Sequence, residues 1–258
     1  MFMLEKKISN VSSTLIVNLY EGFLIDSVDH QKLSKKLINC KFDIKALVEC
    51  SRNVADTIGT EIVSESEYNF QPFGDSSTFI VKSKDCLQSS ATLHLKESHI
   101  SFHTYLEDIL QNFLIIRLEY HICSCSEYNV FNAVQNLIPK DYFTPSQISP
   151  DLITLDYLRR GSKHSGNSSN IIFSYDDPDV LNTNDSLKVI SDQDSSFSTG
   201  SRHLIYKSSL NDVSKKLSKY GYDPINSDIE NYFSFLDDNY CSYGVESTKN
   251  KMSFKDSR

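Results

Sequence analysis

At Gly59 the spacing of apolar residues changes, and no other feature restricts the fold as much. Upstream, Ile44, Leu47, Val48, Ala55 and Ile58 recur on one helical stripe. Asp43 stands where an N-cap is wanted and Gly59 where a helix ends. Downstream the period moves towards two, the spacing of a strand with one buried face. Glu61 to Phe70 and Ser77 to Lys82 read as strands around the turn QPFGD. Ala91 to Leu95, Ile100 to Tyr105 and Phe113 to Cys123 continue the series. Before it come a strand, Ser13 to Tyr20, and a helix, Asp26 to Leu37. After it come a short helix, Asn129 to Ile138, and a strand, Asp151 to Arg159, closed by Gly161. This order predicts an α+β fold: a layered sandwich of a largely antiparallel sheet with helices packed on one face.

Residues 1–161 read as one core. Residues 162–200 are crowded with Ser, Asn and Asp and read as a long loop or partly disordered segment. Residues 201–245 read as a helical C-terminal extension, with helices near Leu210 to Lys219 and Ser227 to Asn239, and 246–258 as a frayed tail.

The formal net charge of -8 disfavours nucleic acid, which needs clustered Lys and Arg. No apolar run approaches a bilayer span. The start, MFMLEKKISNVSS, lacks the apolar stretch of a signal peptide. Of the six cysteines only Cys123 and Cys125 are close, without a second pair to complete a zinc pattern. Free thiols and a cytoplasmic location are expected.

The chemistry concentrates in Leu93 to Glu107, LHLKESHISFHTYLE. Ser98 lies between Glu97 and His99, with His103 and Glu107 following. A serine near a histidine invites a hydrolase reading, but no G-x-S-x-G elbow is present. Alternation of His99, Ser101 and His103 with Ile100 and Phe102 fits equally a strand with one polar face. Taken alone, the segment favours the strand.

The wider pattern adds more. E-S-H-I-S-F-H-T-Y-x-E resembles the cleavage-site motif of bacterial S-adenosylmethionine decarboxylases. FQPFGDS, from Phe70 to Ser76, resembles that family's F-x-P-Q-G-x-S segment. LEYHIC, ending at Cys123, resembles the strand bearing its catalytic cysteine. DLITLDYLRRG resembles the R-G strand of the longer bacterial type, and NVSSTLIVNLY its start. The resemblance runs in order from about Asn10 to Gly161.

It implies a self-processing, pyruvoyl-dependent carboxy-lyase that forms decarboxylated S-adenosylmethionine and carbon dioxide for spermidine biosynthesis. The Ser98 hydroxyl would attack the Glu97 carbonyl and cut the chain into a β chain, 1–97, and an α chain beginning at 98. A pyruvoyl group would remain at the new N-terminus and take substrate as a Schiff base. Conjugation of that kind is the electron sink that decarboxylation needs. By the same resemblance Cys123 donates a proton and Ser76 and His103 assist processing. Phe70 would stack on adenine and Glu107 would bind the ribose hydroxyls. A homo-oligomer of αβ units and Mg2+ as a candidate activator are also implied, though no metal-ligand set is visible. Four departures stand out: Leu106 replaces a proline, Ser124 a glycine and Phe73 a glutamine, and the loop between Glu107 and Phe113 is shorter than in the longer bacterial type. They leave open another amino acid, ornithine or arginine, as substrate, or an unprocessed inactive homologue.

Overall fold

The computed structural model describes residues 12–25, 30–69, 75–83, 97–110, 113–124, 130–138, 148–160, 187–195 and 201–241. Its spine is β1 (Ser12–Leu24), a strand longer than the sequence reading by one residue at the start and four at the end. β1 pairs with β5 (Phe113–Ser124) on one side and β6 (Leu152–Arg160) on the other. Outward from β5 lie β4 (Glu97–Leu110), β3 (Asp75–Ser83) and β2 (Thr60–Asn69). Outward from β6 lie β8 (Ser201–Ser208) and β7 (Leu187–Ser195). The result is an eight-stranded sheet, every pairing antiparallel, in the order β2-β3-β4-β5-β1-β6-β8-β7.

Period two assigns the faces. Leu15, Val17, Leu19 and Phe23 of β1 and Ile100 and Phe102 of β4 face a core under two helices. These are α1 (His30–Lys41), contributing Ile38, and α2 (Ile44–Thr57), contributing Leu47, Val48, Val54 and Ala55. Full burial of each such side chain contributes roughly 1.5–3 kcal/mol. α2 keeps the expected bounds: the Asp43 carboxylate accepts from the Ala46 N–H at 3.2 Å, and Gly59 takes φ 65° just past the end. A 3-10 turn, Val130–Ala133, leads into the short α3 (Val134–Leu137) beside the same core.

The layered α+β architecture is as expected, but helices cover both faces rather than one. Tyr20, Leu24, Phe113, Ile115, Leu152 and Ile205 form a second core on the opposite face. Val213 and Leu217 of α4 (Leu210–Lys219) and Ile229, Tyr232, Phe233 and Leu236 of α5 (Asn226–Leu236) pack on it. The C-terminal segment is thus no separate appendage: β8 pairs with β6, and its helices close the lower half of the sheet. β7 also corrects the reading of 162–200 as loop throughout. Its sequence, LKVISDQDS, alternates poorly because it is an edge strand with Val189 and Ile190 exposed. Phe70, Phe73, Cys125 and the expected strand Ala91 to Leu95 lie outside the described residues.

Two carboxylates are buried where β1, α1 and α4 meet. Glu21 is fully buried, ion-pairs with Lys41 and accepts from the Ser149 N–H at 2.9 Å. Asp151 accepts from the Gly22 N–H and the Tyr232 hydroxyl, each at 2.9 Å, and from Lys216. Lys216 lies 3.9 Å from Glu21, which joins the two pairs, and the Tyr220 hydroxyl accepts from Lys41 at 2.8 Å. Gly22 permits this closeness. A Cβ there would sit 2.5 Å from Cζ of Tyr232, whose ring stacks on Phe113 at 4.6 Å. The ring is held at both ends and cannot yield cheaply. Gly22→Ala should therefore lower unfolding free energy by about 1–3 kcal/mol in urea titrations, as overpacking does.

Candidate active site

Above the α5 layer the same sheet face turns polar. β5 contributes Arg117, Glu119, His121 and Cys123, and β4 contributes His99, Ser101, His103 and Tyr105. β1 adds Thr14 and Asn18, and β6 and β8 add Thr154, Asp156 and His203. Register groups them into rows.

The first row holds the thiol. His99 lies directly opposite Cys123, and Cys123 directly opposite Thr14. Thr14 Oγ1 and Cys123 Sγ share a hydrogen bond at 3.4 Å. Burial pushes the Cys123 thiol up, but hydrogen bonds from His99 and Thr14 together with the imidazole charge bring it below the usual thiol value. Hydrogen bonding to Cys123 raises His99, an effect larger than the opposing burial. Ser98 precedes His99 and pairs in register with Val81.

The second group lies further down the face. His103 is opposite Ser76 on β3 and Glu119 on β5. Burial holds His103 below the ordinary imidazole value, and its Nδ1 has no hydrogen-bond partner among the described residues. Arg117 lies 4.5 Å over the Tyr105 ring, donates to Glu107 at 2.9 Å and to Asn18 at 3.2 Å, and pairs with Glu119. His121 Nε2 lies 2.9 Å from Glu119. The His121 hydrogen bond and the Arg117 charge, against burial, hold Glu119 below the usual carboxylate range. Glu107 reaches Arg117 because it is the extra residue of a bulge between Leu106 and Asp108. Leu106, where the family pattern has proline, packs against the main core.

The sequence-predicted residues therefore form two half-sites. Cys123 pairs with His99, the residue after Ser98. Ser76, His103 and Glu107 gather elsewhere. The odd spacing of Ser98 and His103 calls for a bend at the cut or for Ser98 to lie before the strand; instead β4 keeps unbroken register from Glu97 to Leu106, so Ser98 is out of phase with His99 and His103. At 3.3 Å per residue His103 is about 17 Å from Ser98 and Glu107 about 30 Å. The sequence reading missed Thr14, Asn18, Arg117 and Glu119. For β5 a signal existed: I-R-L-E-Y-H-I-C places polar groups at every second position.

A groove of about 560 Å3 adjoins Thr14 and is lined also by Ile16, Asp156, Leu158, Arg202 and His203. His203 Nδ1 lies 2.6 Å from Asp156, which raises the imidazole above its ordinary value. Among the described residues no cluster of three or more His, Cys, Asp or Glu could hold a metal ion, and no helix is long and apolar enough to cross a membrane.

The class defined so far is an antiparallel α+β layered protein with a half-exposed thiol–imidazole pair on an open polar sheet face. No protein-family profile matches the chain. It is similar to the S-adenosylmethionine decarboxylase proenzyme of Azotobacter vinelandii, 24% identical over 167 residues, covering 59% of this chain and 61% of the relative. The proenzyme of the same name from Clostridium beijerinckii is 26% identical over 172 residues, with the same coverage. That from Brevibacillus brevis is 23% identical over 189 residues, covering 67% of this chain and 68% of the relative. The first of these matches spans about three fifths of the relative's length. Among solved structures, the adenosylmethionine decarboxylase of Aquifex aeolicus aligns with TM-score 0.33 and 16% identity, over 63% of this chain and 98% of that one. The Trypanosoma brucei AdoMetDC-delta26 monomer aligns with TM-score 0.36 and 10% identity, over 76% of this chain and 65% of that one.

Proposed function

We propose that the chain is a self-processing S-adenosylmethionine decarboxylase of the longer bacterial type, with Ser98 as the precursor of its pyruvoyl group. The observation that carries this reading is the row His99–Cys123–Thr14, which begins one residue after Ser98. A titratable thiol on the strand next to the one that carries Ser98 supports the assignment of Cys123 as proton donor. The named relatives support it. The pyruvoyl group would supply the electron sink for loss of carbon dioxide. Cys123 delivers a proton to the substrate carbon that loses it, Thr14 orients the sulfur, and the half-buried setting limits competing water. Ser76 and His103 act in processing, the Nδ1 of His103, without a partner among the described residues, being free to take a proton. Glu107, held by Arg117, offers a carboxylate to the ribose diol. Phe70 keeps its proposed stacking role against adenine. We assign a cytoplasmic enzyme supplying spermidine synthesis, with Mg2+ as activator only.

The two half-sites suggest how the parts meet. S-adenosylmethionine is too short to touch Ser98 and Glu107 of one chain. A second copy laid face to face, about a twofold axis near Ser101, would bring the His99 row of one chain over the His103 row of the other. Stacked sheets lie about 10 Å apart, a gap that side chains and a small substrate can fill. The reading is thus of a homo-oligomer whose catalytic unit is at least two chains.

The decisive experiment is intact mass spectrometry of fresh protein, followed by release of labelled carbon dioxide from S-adenosylmethionine, ornithine and arginine. Two fragments and release from S-adenosylmethionine alone are expected. A single uncut chain would overturn the proposal, and release only from another amino acid would reassign the substrate.

A further inference from the structure

His99 has a role beyond completing a polar face. We propose that His99 is a positioning residue for Cys123, an exposed imidazole that holds and returns the proton of the half-buried thiol. This rests on the reading of Cys123 as proton donor. The two residues are direct register partners across β4 and β5, which sets their Cβ atoms about 5 Å apart. Thr14 closes the sulfur from the β1 side at 3.4 Å. His99 is exposed to water, whereas Cys123 is only partly so. A proton therefore reaches the sulfur through the imidazole more readily than directly.

The acidities agree with the geometry. Each partner moves towards its charged form because of the other, in keeping with their direct pairing across the two strands. Among the described residues no other charged group acts on either partner. Along the face, Ser101 and His121 lie one row down, and His121 is engaged with Glu119 at 2.9 Å. Glu119 in turn pairs with Arg117, two and three rows from the thiol. The proton count closes as follows. The Cys123 S–H bond breaks as a C–H bond forms on the substrate carbon that has lost carbon dioxide. The thiolate accepts the proton of the His99 imidazolium, and water restores that proton to His99.

The test uses the full chain carrying Ser98→Ala, which cannot form the pyruvoyl group, so the result is independent of processing. Cys123 is alkylated with iodoacetamide between pH 5.5 and 9 and read by peptide mass, with the urea-unfolded chain as reference. In the parent the midpoint should lie below that of the unfolded thiol. In His99→Gln it should move upward, and alkylation at pH 7 should slow about tenfold, the effect of a one-unit change in thiolate acidity. An unchanged profile would overturn the proposal. A second reading needs no change at His99: in Cys123→Ala the His99 imidazole, followed by NMR titration, should fall back towards the ordinary value, and a stationary midpoint would likewise overturn it. An uncut wild-type chain would sink the decarboxylase and leave this coupling standing. A cut chain with no alkylation shift would do the reverse.

Discussion

Ser98→Ala should yield one uncut chain of 258 residues with no decarboxylase activity, where on the proposed reading the wild type should separate into fragments of residues 1–97 and 98–258. The reason is chemical: alanine has no hydroxyl to attack the Glu97 carbonyl, so neither cut nor electron sink can form. Loss should be complete within detection, and folding should be untouched because the change removes a single oxygen. The two-copy reading adds a sharper test. His103→Ala damages the second half-site and Ser98→Ala the first. Each alone should be inactive. Coexpressed, they pair at random, half the dimers are mixed, and each mixed dimer regains one intact site of two. About a quarter of wild-type activity should return if the site is shared between two chains. No recovery would place the whole site within a single chain, against the distances along β4.

Asp151→Ala should cost about 3–5 kcal/mol of unfolding free energy, measured by urea titration, against a typical total of about 5–15 kcal/mol. Asp151 is 1% exposed. Its removal takes the acceptor from the Gly22 N–H and the Tyr232 hydroxyl and the carboxylate partner from Lys216. The larger share of the cost is the Lys216 ammonium, 7% exposed and left with only the Ser149 carbonyl at 3.3 Å and Glu21 at 3.9 Å. The double variant Asp151→Ala with Lys216→Met should recover a large part, because it removes that buried charge and leaves a side chain of similar length. Coupling of at least about 1 kcal/mol between the two sites is expected, and strict additivity would refute the assigned pair. Glu21 gives a contrast. Burial raises its carboxyl, with Lys216 and Lys41 opposing, so its loss should unsettle Lys41 and Lys216 together.

Much of the fold was legible because it depends on neighbours in sequence. The α2 stripe, its Asp43 cap and the Gly59 stop are local, and the helix lies where they predict. α4 occupies Leu210–Lys219 as read, with the Ser209 side chain accepting from the Asp212 N–H at its start. Alternation in β4 and β5 showed their polar face for the same reason. β7 was missed because an edge strand exposed on both sides need not alternate. The second helical layer was missed because Tyr20, Leu24, Phe113 and Ile115 look like ordinary strand apolars. Only the arrival of Tyr232 and Phe233, more than a hundred residues later, explains them.

The candidate site divides in the same way. Ser98, His103, Glu107 and Cys123 carry a motif that can be read in order along the chain. That His99 faces Cys123, that Thr14 closes on the sulfur, and that Arg117 gathers Glu107 and Glu119 follow from strand register. What the sequence by itself determined is the period of each segment, hence which residues share a face and which types of side chain are available. What only the tertiary structure decided is which rows abut, that Ser98 and Glu107 lie about 30 Å apart along β4, and that two acids and two lysines are buried together. The physical reason is that periodicity is set by each residue's own backbone geometry. Register and burial are set by packing between segments up to two hundred positions apart, a contest among alternatives that no local pattern encodes.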